Sequence, residues 1–246
     1  MDAPLIWQIA TVTAVVTETA HVKTFTLRLP GWVRHKPGQH YDVRLTAPDG
    51  YQAERSYSVA SEPEREGVID LTVQRIDDGE VSPYMHDVLV PGDSIEVRGP
   101  IGGYFVWEAR PDSPALLVAG GSGIVPLMAM IRHRAAIGSP VRTRLLYSSR
   151  TVGDIIYARE LERFRARGDG LDVFHTLTRD DPPGWSGFTR RIDAEMLHEV
   201  ATPLGPDVRS FVCGPTALVE AVAEALVGGG MRPGRVRTER FGPTGV

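Results

Sequence analysis

The chain has 246 residues, 42% of them hydrophobic and 24% charged, with a formal net charge of −4 and a pI near 6.0. That is a globular composition, long enough for one large domain or two ordinary ones, and its slight acidity argues against nucleic acid as a partner. The single cysteine, Cys213, excludes an intrachain disulfide and any four-cysteine zinc or iron–sulfur site. Seven histidines without HExxH spacing give no reason to expect a metal. No apolar run approaches the roughly 18–20 residues needed to cross a bilayer. The opening "MDAPLIWQIATVTAVV" carries no basic n-region, so a signal peptide and a membrane partner are not expected, and a reducing, cytoplasmic setting is.

From residue 7 to 108 the chain reads as short strands: "QIATVTAVVTET", "VKTFTLRLP", "QHYDVRLTA", "ERSYSVAS", "VIDLTVQRI" and "DSIEVRGPIG". Turn chemistry such as "PGWVRHKPG", "APDG" and "VPGD" separates them, and one helical piece, "SPYMHDVLV", interrupts them. Six strands at this spacing predict a small antiparallel barrel or sandwich. Within "ERSYSVAS", an alternation of two places Arg55, Tyr57 and Val59 on one face and Ser58 on the other. A solvated edge strand explains the polar residues; so does a strand that grips a polar ligand.

Near "EARPDSP" the rhythm changes to apolar strand, turn and helix, repeated. "ALLVAGG" precedes "IVPLMAMIRHRAAIG", "VRTRLLYSS" precedes "DIIYARELERFRARG", "LDVFHTLTR" follows, and "RSFVCG" precedes "PTALVEAVAEALVGGG". That pattern predicts a parallel sheet covered on both faces, and so two domains, 1–108 and 109–246.

The turn Gly120-Gly121-Ser122-Gly123 joins the first of these strands to its helix. Glycines admit a phosphate close to backbone N–H groups at a helix start. The spacing is neither GxGxxG nor a Walker A, and Ile124 excludes a GxSxG nucleophile elbow. By itself the turn reads equally well as a plain connector. The next strand ends in Ser148, Ser149 and Arg150, where a NAD site often carries an acid for the ribose 2′-OH. An arginine there suits a 2′-phosphate instead. Arg179 and Arg191 stand near later strand ends.

Four signatures occur in order: "RSYS", "GEVSPYM", "GGSGIVP" and "VCGP", followed by "ERFG". Together they resemble the RxYS flavin strand, the GxxS pyrophosphate turn, the GGxGxxP nucleotide turn and the Cys-Gly-Pro strand end of the ferredoxin–NADP⁺ reductase family. The resemblance spans essentially the whole chain. It implies a six-stranded FAD-binding Greek-key β-barrel followed by an α/β domain that binds NADPH, with NADH as the alternative dinucleotide.

In that frame Arg55 binds the flavin phosphates, Tyr57 packs on the isoalloxazine, and Ser56 and Ser58 lie beside it, Ser58 near N5. Val73 and Gln74 touch the flavin through backbone. Gly79, Val81 and Ser82 form the pyrophosphate turn, with Ser82 expected as the helix N-cap. Gly121, Ser122 and Gly123, with Cys213, Gly214 and Pro215, hold the dinucleotide, and Arg150, Arg179 and Arg191 its 2′-phosphate. Hydride passes from nicotinamide C4 to flavin N5, with Ser58, Cys213 and Glu239 at the reacting centre. Phe241 covers the flavin, and the tail "GPTGV" resembles those that reach the FAD adenine.

Many members of this family carry a fused four-cysteine iron–sulfur domain, which this sequence lacks, so electrons are expected to leave to a separate acceptor. A ferredoxin or flavodoxin leads, with Arg34, His35, Lys36, Arg232, Arg235 and Arg237 as a basic docking face. The alternatives are direct reduction of an oxygenase component or molybdenum enzyme, a free-flavin reductase or diaphorase, and a nucleotide-sensing or electron-transfer subunit without turnover of its own.

Overall fold

The computed structural model describes residues 5–110 and 113–241. They form two compact units, one holding residues up to 108 together with 128–136, the other 109–127 and the chain from 137 onward. No helix among the described residues is long and apolar enough to cross a membrane.

The first unit is built on β1 (Trp7–Thr19), β2 (Val22–Arg28), β3 (His40–Thr46), β4 (Gln52–Ser58), β5 (Val68–Gln74) and β6 (Ser94–Ile101), with the helix α1 (Val81–Asp87) between the last two strands. Their order in the sheet is β4-β3-β6-β1-β2-β5, antiparallel throughout. The hairpins β1–β2 and β3–β4 come from short turns, and the non-consecutive pairs supply the Greek-key crossovers. The sheet curls like a barrel, but no ladder closes it: an isolated bridge, Val59 to Leu71, links the chain just after β4 to β5. The expected barrel is therefore an open one, with β4 and β5 as its edges. Alternation puts Phe25, Leu27, Tyr41, Val43, Ile69, Leu71 and Val97 into one enclosed core, capped by Val81 and Met85 of α1.

The second unit holds β7 (Ala115–Gly120), α2 (Ile124–Ala136), β8 (Thr143–Ser149), α3 (Ala158–Arg165), β9 (Leu171–Leu177), α4 (Ala194–Ala201), β10 (Arg209–Pro215), α5 (Thr216–Gly228) and β11 (Val236–Phe241). The last part of α2 groups with the first unit. The strands pair in parallel in the order β11-β10-β7-β8-β9. Every residue of β7 is buried, as the continuous apolar run demanded of a strand covered on both faces. Met196 and Val200 of α4 and Val219, Val222 and Leu226 of α5 pack on Leu116, Val118 and Val212 on one face.

Two elements escape the sequence reading. Helix α4 carries a visible signal, Asp193, whose carboxylate accepts the Met196 N–H at 2.8 Å as an N-cap. Strand β11 reads as polar, "VRTERF", because it lies at the edge of its sheet.

Candidate functional site

Strand β4 is where the first unit presents polar groups. Ala53 is buried, Tyr57 is half-buried against the core and Val59, just past the strand, is enclosed, so this face points inward. Arg55 shares that face opposite Val43, yet it is exposed, because β4 is an edge strand and nothing covers its middle. The result is a flat aromatic ring with an exposed cation two residues away on the same side, its guanidinium donating to the Glu54 carbonyl at 2.7 Å. Burial pushes the Tyr57 hydroxyl up to about 12, so the ring stays neutral. Ser58 points to the other face, opposite His40, and is itself buried. Ser56 is exposed and donates to Asp42 at 2.6 Å.

The turn between β5 and α1 lies beside this strand. Glu80 comes within 3.9 Å of the Arg55 guanidinium and accepts from the Tyr51 hydroxyl at 2.8 Å. The structure thus brings the first two sequence signatures together. The expected N-cap is corrected: α1 starts at Val81, Glu80 occupies the cap position without a side-chain bond, and Ser82 lies in the first turn. The Ser82 hydroxyl accepts the Ile76 N–H at 3.0 Å, closing the loop around Gly79, whose own N–H bonds to the Ile76 carbonyl. Val81 is buried in the core. At the end of β5, the Val73 carbonyl is bonded to the His86 ring at 2.8 Å, and Gln74 is partly exposed.

A cavity of about 600 Å³ opens along the same edge, lined by Ala53, Tyr51, Glu80, Tyr84, Arg44 and Ile95. Sequence reasoning missed it, although Glu80 and Tyr84 stand inside the quoted "GEVSPYM".

In the second unit β8 and β9 lie to one side of β7, and β10 and β11 to the other. The order reverses between β7 and β10, and ligands of open parallel sheets bind at the carboxyl ends of such a pair. Those ends are Gly120 and Pro215. Here the third and fourth signatures meet, backbone against backbone. A Cβ on Gly123 would lie 2.1 Å from the Cys213 carbonyl oxygen, and one on Gly214, at φ +157, would lie 3.1 Å from Gly120 N. Gly121 is the reverse case: its φ of +53 favours glycine, and the space beside it is open. Ser122 is partly exposed.

Cys213 is fully buried, and burial, with the charge of Glu239 adding to it, raises its thiol well above the usual range. Cys213 pairs with Glu239, and Pro215 with Phe241, across β10 and β11. Glu239 and Phe241 are partly exposed; the five residues after Phe241 lie outside the described residues, and with them the tail.

Arg150 and Arg179 end adjacent strands, joined by the Arg179 N–H donating to the Arg150 carbonyl at 2.9 Å. Arg191 follows a segment that runs parallel to β9, where Phe188 bridges Thr176. All three guanidinium groups are exposed. By contrast, the neighbouring Arg190 is engaged by Asp193 at 2.6 Å and Glu195 at 3.3 Å.

The expected basic docking residues fare less well. His35 is buried, its Nε2 bonded to the Ser61 carbonyl, so it belongs to no surface. Arg34 pairs with Glu64, and Arg232 and Arg235 share Asp207.

Comparison with known proteins agrees with this geometry. Residues 9–106 match an oxidoreductase FAD-binding domain family and residues 117–224 an oxidoreductase NAD-binding domain family. Glycine betaine monooxygenase reductase subunits of Chromohalobacter salexigens and Pseudomonas aeruginosa are 34% identical over 94% of this chain. The chain spans only 63% of their length. Ferredoxin–NADP reductase B of Sorangium cellulosum is 34% identical over 83% of this chain and 84% of its own. Among solved structures, a ferredoxin NADP⁺ reductase from Neisseria gonorrhoeae with bound FAD and NADP has a TM-score of 0.81 at 22% identity, covering 95% of this chain and 98% of that one. The flavohem-like FAD/NAD-binding domain of a Vibrio cholerae nitric oxide dioxygenase reaches 0.86 at 24% identity, covering 96% and 98%. This chain belongs to the ferredoxin–NADP reductase-like family of FAD-dependent, NAD-binding oxidoreductases.

Proposed function

We propose that this protein oxidises NADPH with an FAD held by its first unit and passes the electrons to a separate redox protein. The flavin, when bound, accepts a hydride and releases electrons singly, a chemistry no side chain supplies. The residues of the chain bind, orient and shield. Tyr57 offers its ring to the isoalloxazine, Arg55 its charge to the diphosphate, and the Gly79–Ser82 turn its backbone N–H groups. Ser56, Ser58, Val73 and Gln74 complete this set, and the cavity beside Glu80 and Tyr84 takes the nucleotide end of the cofactor.

The dinucleotide lies over the Gly121–Gly123 turn and the Cys213–Pro215 strand end. The observation that carries this reading is the close approach of Gly123 and Gly214 to the opposing backbone at the switch point. A glycine turn pressed against the backbone of the facing strand leaves main chain, rather than side chains, to meet a phosphate or a flat ring. Arg150, Arg179 and Arg191 provide the positive charge that favours NADPH over NADH. Cys213 and Glu239 flank the nicotinamide, and Phe241 covers the flavin until nucleotide arrives.

The acceptor is a ferredoxin or flavodoxin in the cytoplasm. The identity to glycine betaine monooxygenase reductase subunits over 94% of this chain favours, as a second reading, an oxygenase component as acceptor. Cytochrome c reduction by the FAD-loaded protein and NADPH, assayed with and without added ferredoxin, tests the proposal. Reduction that depends on ferredoxin supports the carrier route; equal rates without it refute that route.

A further inference from the structure

One buried hydroxyl in the second unit has a place that the sequence signatures do not account for. Tyr147, on β8, is fully buried. Its hydroxyl donates to the Gly121 carbonyl at 3.1 Å and accepts the Ile156 N–H at 3.3 Å. Gly121 belongs to the glycine turn after β7, and Ile156 to the connector between β8 and α3. One oxygen therefore ties together the two loops that follow neighbouring parallel strands. The ring packs against His175, 5.8 Å between centroids, which is in turn packed against Trp185 at 6.2 Å, so the hydroxyl has no freedom to swing away.

The Gly121 carbonyl also accepts the Ile124 N–H, so both of its lone pairs point into the protein. A trans peptide is planar, with C=O and N–H on opposite sides. With the Gly121 oxygen held inward, the N–H of Ser122 must face outward, over the partly exposed turn. Gly121 has φ +53, in the region where glycine is least restricted, and the space on its Cβ side is open.

We propose that Tyr147 is a positioning residue for the dinucleotide: its hydroxyl locks the Gly121–Ser122 peptide so that the Ser122 N–H is presented to the phosphates before the ligand arrives. This rests on the reading that the glycine turn holds the dinucleotide. Pre-set donors cost no reordering on binding, so the effect falls on nucleotide affinity rather than on turnover.

The test is Tyr147→Phe in the FAD-loaded protein, which keeps the ring and deletes the hydroxyl. The NADP⁺ Kd and the KM for NADPH are expected to rise about tenfold, the equivalent of one lost hydrogen bond. At saturating NADPH, kcat with ferricyanide is expected to stay within about twofold, because the hydroxyl touches no reacting group, and FAD affinity to stay unchanged. A nucleotide Kd equal to wild type, with only a lowered Tm, overturns the proposal and leaves Tyr147 a packing residue.

Amide hydrogen exchange on the wild type gives a measurement independent of the variant's folding. The Ile156 N–H should be protected with or without nucleotide, and the Ser122 N–H only with NADP⁺. Slow exchange at Ser122 in the absence of nucleotide overturns the proposed orientation. A wild type that binds neither NADP⁺ nor NAD⁺ removes the underlying reading of the glycine turn. A wild type that binds well, matched by an equally tight Tyr147→Phe, removes only the role of Tyr147.

Discussion

Cys213 and Glu239 sit directly opposite one another in the parallel pairing of β10 with β11, the thiol fully enclosed and the carboxylate partly exposed. Burial, reinforced by that carboxylate, keeps the thiol protonated. Reactivity needs the thiolate, so Cys213 should act through its shape and its backbone. Ellman's reagent is expected to leave the native protein unlabelled at pH 8 and to label one thiol after unfolding in guanidinium. Rapid labelling of the native state would show an accessible thiolate.

The two glycines of the turn should respond differently to alanine. Gly123→Ala places a Cβ 2.1 Å from the Cys213 carbonyl oxygen, so the glycine turn after β7 must move away from β10. The expected cost is about 3 kcal/mol or more, with dinucleotide binding lost. Gly121→Ala meets no atom and pays only for its φ of +53, about 1 kcal/mol. Guanidinium unfolding of the two variants measures the difference; equal losses contradict the close approach.

Arg150→Ala should weaken NADPH and spare NADH, since under the proposed function this guanidinium meets the 2′-phosphate that only NADPH carries. A charge-assisted bond is worth about 1.5–3 kcal/mol, or roughly 10- to 150-fold in kcat/KM. Arg179→Ala should behave alike, because its N–H is bonded to the Arg150 carbonyl and the two side chains leave neighbouring strand ends. Stopped-flow reduction with each nucleotide checks it; equal losses for NADPH and NADH rule out 2′-phosphate recognition.

Acid should destabilise the fold before any carboxylate titrates. His35, His86 and His175 all have pKa values lowered from 6.5, with burial the largest cause. Below pH 6.5 the unfolded chain takes up protons at these rings before the folded chain does, so the unfolded state binds more. Stability is therefore complete above about pH 6.5 and lost as pH falls below it, by up to about 1.4 kcal/mol per pH unit for each ring. Denaturant midpoints between pH 7.5 and 5 should fall, and His35→Asn should flatten the slope. A midpoint independent of pH over that range contradicts neutral burial.

The division into an antiparallel and a parallel half was legible in the sequence because the two periods differ. Alternation marked β1 to β6, and continuous apolar runs marked β7 and β10. Strand β11 was not, because an edge strand with partly exposed residues such as Arg237 and Glu239 has no apolar run to show. The open edge of the barrel was equally hidden: closure depends on how far strands curl, which spacing does not record. At the site, Arg55, Gly121 and Arg150 stood out as residue types unusual for their places. Tyr147 did not, since a tyrosine in a buried strand looks like core until its hydroxyl is traced to Gly121 and Ile156. Ser82 was misread as a cap because the helix begins at Val81, with Glu80 in the cap position two residues before Ser82.

In the proposed function the first unit grips FAD and the second brings NADPH to reduce it. The direct measurement is the visible absorbance of the purified protein under anaerobic conditions, before and after one equivalent of NADPH. A yellow protein, as purified or after adding FAD, that bleaches rapidly with NADPH and more slowly with NADH is the expected result. A colourless protein that does not bind added FAD, or a yellow one that neither nucleotide bleaches, contradicts it.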